Sequence, residues 1–307
     1  MLFGVDVGGT TVKIGLVSED NKLIDKFEIK TNIENNGSSI LNDIKDAIYN
    51  YLENHNIDKN EITGIGFGVP GPVINNVVKS CINLGWGTVD VEKEFSKLLD
   101  WNPKIACSND ANVAALGEMS VNPSYKNVVM FTLGTGVGGG VIYNGKPIDG
   151  AHGAAGELGH FHLDKVHNYK CNCGLTGCLE TVASATGVVN LAKEYLPKTP
   201  SILSNIEPDK LECKDIFDAA KANDALALKV IEEVGYYIGL AASIVAISID
   251  PDAIIIGGGV SKAGKILLDI IEKYYYELSF HAVKDTKFFI ASLGNDGGML
   301  GAALLAK

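Results

Sequence analysis

The sequence predicts an α/β protein built of two similar α/β halves, on three observations. Each half opens with a β-rich run that breaks at a glycine-threonine turn and returns as a second strand. In the first half the runs are Leu2–Val5 and Val12–Val17 around Gly8-Gly9-Thr10; in the second they are Asn127–Leu133 and Val141–Tyr143 around Gly134-Thr135. Each hairpin is continued by helix-spaced segments and short apolar strands, the alternation expected of packed α/β layers. The length, 307 residues, suits two domains of ordinary size. Internal duplication explains the matched hairpins, and two unrelated glycine-rich hairpins explain them equally well.

In order along the chain, Lys22–Glu28 reads as a third strand. Over Ser39–His55, the residues Ile40, Leu41, Ile44, Ala47, Ile48, Tyr51 and Leu52 recur at helical spacing, with Ser38 or Ser39 as cap. Ile62–Phe67 is a short buried strand, ended by the breakers Gly68-Val69-Pro70-Gly71-Pro72. Lys104–Cys107 is another, followed by Asn109-Asp110-Ala111 and a helix to about Met119. The second half carries helices at Ser184–Tyr195 and Asp224–Ile249, a strand at Ala253–Ile256 closed by Gly257-Gly258-Gly259, and a small-residue helix at Met299–Ala306. No low-complexity linker divides the halves. The boundary is expected near residue 110: residues 1–110 form a smaller domain, joined by a returning helix at about 297–307, and residues 111–296 form a larger one.

Composition narrows the function. The chain has 26 basic and 37 acidic residues, a net charge of −11, and every basic residue is lysine. An acidic surface without arginine is a poor partner for nucleic acid or an anionic membrane. Any phosphoryl group must be held by lysine, backbone amides or a metal ion. The opening Met-Leu-Phe-Gly-Val-Asp has no basic region and reads as a strand, not a leader. The most apolar later stretch, Ile238–Ile249, reads as too short to span a bilayer before Asp250-Pro251 closes it. A cytoplasmic location is therefore expected, where cysteines stay reduced and clusters of them bind metal.

Four motifs carry chemistry. In Asp6-Val7-Gly8-Gly9-Thr10-Thr11-Val12-Lys13, glycines let backbone amides approach an anion, while the threonines and Lys13 donate to phosphate oxygens. Asp6 stands where it would orient Mg2+ through water. The run is neither a P-loop nor a dinucleotide turn, and a glycine hairpin of purely geometric purpose explains it as well. The second run, Leu133-Gly134-Thr135-Gly136-Val137-Gly138-Gly139-Gly140, holds more glycine than a tight turn needs, which favours close approach of phosphates; Gly257-Gly258-Gly259 would accept the face of an adenine. Third, His160 with Cys171, Cys173 and Cys178 makes a closed tetrahedral set for structural Zn2+, with His162 and His167 as competitors for the nitrogen position. Fourth, Asn109-Asp110 sits between a strand and a helix, where a helix cap is the plain explanation.

Together these motifs resemble the ROK family of bacterial sugar kinases and sugar repressors. The resemblance is carried by Asp-x-Gly-Gly-Thr at the start, Asn109-Asp110-Ala111-Asn112, Gly156-Glu157-Leu158-Gly159-His160, and Cys-x-Cys-Gly-x-x-Gly-Cys-x-Glu over 171–180. It runs from residue 3 to about 305, and Asn83-Leu84-Gly85-Trp86 with Leu293-Gly294-Asn295-Asp296 look like the glucokinase branch. It implies the actin-like ATPase (ribonuclease H-like) fold, two α/β domains closing over a cleft, with a zinc loop at 156–180. It implies that Asp110 is the general base and that Asn83, Asn109, Asp110, Glu157, His160 and Glu180 hold the sugar. ATP with Mg2+ is implied to lie against Asp6, Gly8, Gly9, Thr10, Thr11, Lys13, Thr135, Gly136 and Gly258. The implied reaction is phosphorylation of the 6-hydroxyl of D-glucose, with N-acetylmannosamine, fructose or allose as other possible substrates. A sugar-responsive regulator is the rival, opposed by the absence of room for a helix-turn-helix before residue 2 and by the acidic charge. Family members are commonly homodimers or homotetramers.

Overall fold

In the computed structural model, which describes residues 1–307, the apolar runs form two five-stranded sheets of one strand order. The first elements are β1 (Leu2–Val7), β2 (Thr11–Val17), β3 (Leu23–Lys30), a turn α1 (Glu34–Gly37), α2 (Ile40–Asn54), β4 (Gly64–Val69), β5 (Val73–Ile74), β6 (Val77–Val78), β7 (Val89–Asp90), α3 (Val91–Ser96), β8 (Lys104–Asn109) and α4 (Asp110–Ser120). There follow β9 (Val128–Leu133), β10 (Val137–Tyr143), β11 (Lys146–Pro147), α5 (Glu180–Ala183), α6 (Ala185–Tyr195), α7 (Cys213–Lys221) and α8 (Ala225–Ile249). The chain ends with β12 (Ala253–Gly257), α9 (Lys265–Leu278), β13 (Lys287–Ile290) and α10 (Asp296–Leu305).

The first sheet has the order β3-β2-β1-β4-β8 and the second β11-β10-β9-β12-β13, so each hairpin strand meets its counterpart in the same place. In the first, β1 pairs antiparallel with β2 and parallel with β4, which pairs parallel with β8. In the second, β12 pairs parallel with both β9 and β13. Two glycine-rich hairpins without common origin have no reason to repeat this order; duplication accounts for it.

The chain divides into two compact units, one of Met1–Lys126, Gly140–Gly156 and Leu293–Lys307, the other of Asn127–Gly139 and Glu157–Ser292. These limits differ from the expected one at residue 110, because α4 packs within the first unit. A Cβ on Gly301 of α10 would lie 1.7 Å from the Val113 carbonyl oxygen of α4, and one on Gly117 of α4 would lie 2.1 Å from that of Gly297. Only helices without side chains at the contact come this close, which explains the small-residue composition of α10. The same helix lies on β1 and β4, where Cβ atoms on Gly4 and Gly66 would meet α10 carbonyls at 1.8 and 1.7 Å. On the sheet's other face, Phe3, Ile14, Ile65 and Phe67 form a core with Ile40, Ile44 and Ile48 of α2. Ser39 stands at the start of α2, but its hydroxyl donates to the Asp43 carboxylate at 2.9 Å instead of capping a backbone N–H.

In the second unit α8 is the central helix. At 25 residues it is long and apolar enough to cross a membrane, so the expectation that this stretch is too short fails: the helix starts at Ala225. Its burial gives it another role, since 67% of its apolar stretch lies inside the protein. Gly235 and Gly239 admit α9, whose Ile270 and Tyr274 side chains would stand 2.3 and 2.8 Å from Cβ atoms there.

Candidate active site

In the first unit, β1 and β2 bring Asp6 opposite Lys13, and the turn between them is tight: the Gly8 N–H donates to the Thr11 carbonyl at 3.0 Å. Neither Gly8 nor Gly9 has positive φ. Gly8 is required by contact, since its Cβ would lie 2.9 Å from the Thr11 carbonyl oxygen. Thr31 straps the turn from β3's end, its hydroxyl donating to the Gly8 carbonyl at 2.6 Å and its N–H to the Thr10 carbonyl at 2.9 Å. A Cβ on Gly9 would lie 3.5 Å from the Asn83 carbonyl oxygen, so the Asn83 loop adjoins the turn. That loop is held from behind by Asn35, Asn36 and Gly37, three successive left-handed residues. The Trp86 indole donates to the Gly37 carbonyl at 3.0 Å, and a Cβ on Gly85 would strike Asn36 at 2.8 Å.

Asn109 and Asp110 stand where β8 becomes α4. Asn109 caps the helix through its side-chain oxygen, which accepts from the Ala111 N–H at 2.9 Å, and its amide donates to the Gly71 carbonyl at 3.1 Å. Asp110 Oδ1 accepts from the same Ala111 N–H at 2.8 Å. The helix cap is Asn109, and Asp110 shares its donor. Loss of hydration raises the Asp110 carboxyl above the usual carboxylate range, against the pull of Ala111 and Asn109. Burial likewise raises Asp6; Lys13 opposes the shift and the nearby charge of Asp110 adds to it.

In the second unit, His160, Cys171, Cys173 and Cys178 bring their ligand atoms within 4.8 Å of one another. Cys171 Sγ lies 3.6 Å from His160 Nδ1, and the Cys173 and Cys178 sulfurs are 3.6 Å apart. Tetrahedral zinc with bonds of about 2.3 Å to sulfur wants ligand separations of about 3.7 Å, so the set fits. The competing histidines are placed elsewhere. His162 belongs to a bridge with Cys178 and is outside the cluster. His167 is held between Glu194 and Glu233 at 3.1 and 2.6 Å. Glu180 adjoins the metal cluster, with Cys171 Sγ 2.8 Å from its Oε1, and Glu157 lies 3.8 Å from His160 Nε2.

The second glycine run is only partly a turn. Gly134-Thr135-Gly136 turns the chain, closed by the Gly134 N–H on the Gly136 carbonyl at 2.9 Å, and Val137–Gly140 already belongs to β10. Gly140 serves packing: its Cβ would stand 2.4 Å from the Ala111 carbonyl oxygen. Gly136 lies close to Glu180, whose Oε2 would be 2.6 Å from a Cβ there. Gly258, at φ +82°, comes up against Leu133, with only 2.4 Å between a Cβ and that residue's carbonyl oxygen. Beside them lies a cavity of about 480 Å³, lined by Thr135, Phe217, Lys214, Lys221, Gly259 and Val260 among others. Its lining is mainly apolar, Lys214 and Lys221 both pair there with Asp218 at 3.1 and 3.6 Å, and its volume is in the range of small-ligand pockets.

The ROK family model matches residues 2–307. The chain belongs to the ROK family. Over 99% of its length it is 40% identical to a glucokinase of Halalkalibacterium halodurans, of which the match covers 94%. It is 35% identical, over 100% of its length and 97% of the relative, to a glucokinase of Thermotoga maritima. Among solved structures, the ROK glucokinase of Streptomyces griseus, in complex with glucose and AMPPNP, superposes with a TM-score of 0.74 at 30% identity, covering 99% of this chain and 98% of that one. The fold is thus the actin-like ATPase fold of the ROK sugar kinases. Sequence reasoning missed Thr31, Phe217 and the lysines of α7. No pattern marked them, because β3's end and α7 reach their sites through tertiary folding.

Proposed function

We propose that this ROK chain is an ATP-dependent glucokinase that transfers the γ-phosphoryl group of ATP to the 6-hydroxyl of D-glucose. The observation that supports the assignment of roles is Asp110 at the junction of β8 and α4, next to the cap Asn109, with its carboxyl raised by loss of hydration. Full-length likeness to glucokinases supports the reaction. Asp110 takes the proton of the attacking hydroxyl as the bond to phosphorus forms. Asn83, Asn109, Glu157, His160 and Glu180 orient the sugar hydroxyls, and exclusion of water keeps ATP from hydrolysis. Gly9, Thr10, Thr11, Lys13, Thr135, Gly136 and Gly258 approach the nucleotide, its base in the cavity beside Phe217. Mg2+ held near Asp6 would neutralise charge on the transferring phosphates. Zn2+ on His160, Cys171, Cys173 and Cys178 is structural, because all four positions are filled by protein. The enzyme is read as cytoplasmic and as a homodimer or homotetramer, on the family likeness.

A coupled assay across glucose, mannose, fructose, allose and the two N-acetylhexosamines tests the reading. Glucose should give the highest kcat/KM. A site built to pair a free 2-hydroxyl leaves charged acceptors unmatched when that oxygen is replaced, which is worth about 10- to 150-fold. An N-acetylhexosamine ranking first would replace the substrate and keep the kinase; binding without phosphorylation of any sugar would remove the kinase itself.

A further inference from the structure

Ser108 and Asn112 flank the Asn109-Asp110-Ala111 junction, and each is only 2% exposed. Both turn to one carboxylate. Ser108 Oγ donates to Asp149 Oδ1 at 2.9 Å, and Asn112 Nδ2 donates to the same oxygen at 3.3 Å. Asn112 is fixed in turn, its Oδ1 accepting from the Val141 N–H at 3.2 Å. Asp149 opens a loop closed by the Ala155 N–H on its own carbonyl at 3.2 Å. Gly153 of that loop, at φ +71°, seats it on Pro72, just beyond β4. One side chain therefore holds the residue before the junction and the residue after it.

We propose that Asp149 is a positioning residue: its carboxylate grips the strand-to-helix junction on both sides of Asp110 and so sets where the Asp110 carboxylate points. The inference rests on the reading of Asp110 as the base. Hydrogen bonds to an ionised acceptor are stronger than neutral ones, which makes an aspartate a firm anchor for two neutral donors. The position needs an acceptor oxygen at this reach more than it needs the charge. That distinguishes it from Asp110, where the charge does the chemistry.

Two substitutions separate the possibilities. Asp149→Ala removes the anchor and should lower kcat about 10- to 100-fold, the scale of a misplaced catalytic group. KM for ATP should stay unchanged. With the junction loosened, the bonds from Ala111 and Asn109 that hold the Asp110 carboxyl down weaken, so the acid limb of kcat/KM should move to higher pH. Asp149→Asn keeps an oxygen for Ser108 and Asn112 and should recover most of the lost turnover. The inference is overturned if Asp149→Ala turns over like the wild type, if the acid limb does not move, or if the asparagine variant is no better than the alanine. Should Asp149→Ala not fold, Ser108→Ala removes one of the two grips; it should lose several-fold in kcat, and wild-type turnover there overturns the inference equally. A wild-type chain that phosphorylates no hexose removes the kinase reading and this inference together. An active wild type with indifferent variants removes only the inference.

Discussion

At the scale of single residues, kinetics would tell a plain structural explanation of Asp110 from a chemical one. Its position suits a helix cap, and the cap turns out to be its neighbour Asn109. Asp110→Asn preserves the shape and cannot take a proton. Turnover should fall at least about 100-fold, with the sugar KM changed much less, as steady-state kinetics would read. Near-normal turnover would mean that the residue is structural. The raised carboxyl sets the sign of the pH effect: the base works only when ionised, so activity is lost as pH falls through a value above the ordinary 3.8. The cysteine spacing points to a metal set and leaves His160, His162 and His167 open for its nitrogen, while the role of Asp110 is implied only by the resemblance to the ROK family. Asp149 and Thr31 had no such signal, since their partners lie 41 and 23 residues away.

At the scale of elements, the segment between His160 and Cys171 is tied to two helices by one imidazole. His167, its side chain 1% exposed, lies between Glu194 of α6 and Glu233 of α8. Tyr169 donates to Glu194 and Tyr195 to Glu233, each at 2.5 Å, while Asp164, Lys198 and Lys229 are the other charges close by. Burial disfavours the imidazolium, but hydrogen bonds to Glu233 and Glu194 outweigh it and raise the group above its ordinary 6.5. A raised pKa stabilises the fold fully below 6.5, and that stability is lost as pH rises through the folded value. The wild type should therefore lose its advantage in Tm over His167→Asn as pH is raised from 6 toward 9. A constant difference across that range would show that the charge contributes nothing. The sequence placed His167 only as a competitor for zinc, because the carboxylates that claim it are 27 and 66 residues distant.

At the scale of the whole molecule, the two sheets share one strand order while the two units carry different equipment. The first holds Asp6, Asn83 and Asp110; the second holds the metal set, Glu157, Glu180 and the cavity beside Phe217. Purified protein should contain about one zinc per chain. Chelation, or Cys173→Ser, should lower Tm, since metal affinity at such a site is also folding energy. It should raise the sugar KM more than the ATP KM, because Glu157, His160 and Glu180 all adjoin the metal loop. Metal analysis and calorimetry on freshly purified, unchelated protein would check this, and zinc-free protein of unaltered stability would refute it.

The sequence by itself determined the repeated strand-turn-strand pattern, the apolar faces of the long helices, the three cysteines of the metal set and the Asn109-Asp110 junction. Each of these is written in short periods or close spacings, which local stereochemistry enforces. Tertiary structure decided the rest. It made β10 begin within the second glycine run, because Gly140 must lie against α4. It kept α4 with the first unit, because Gly117, Gly297 and Gly301 allow two helices to touch backbone to backbone. It chose His160 over His167 for the metal set, because carboxylates from α6 and α8 hold the latter. It converged Ser108 and Asn112 on Asp149. These outcomes depend on which distant groups meet across a packed interior, and adjacency along the chain does not encode that.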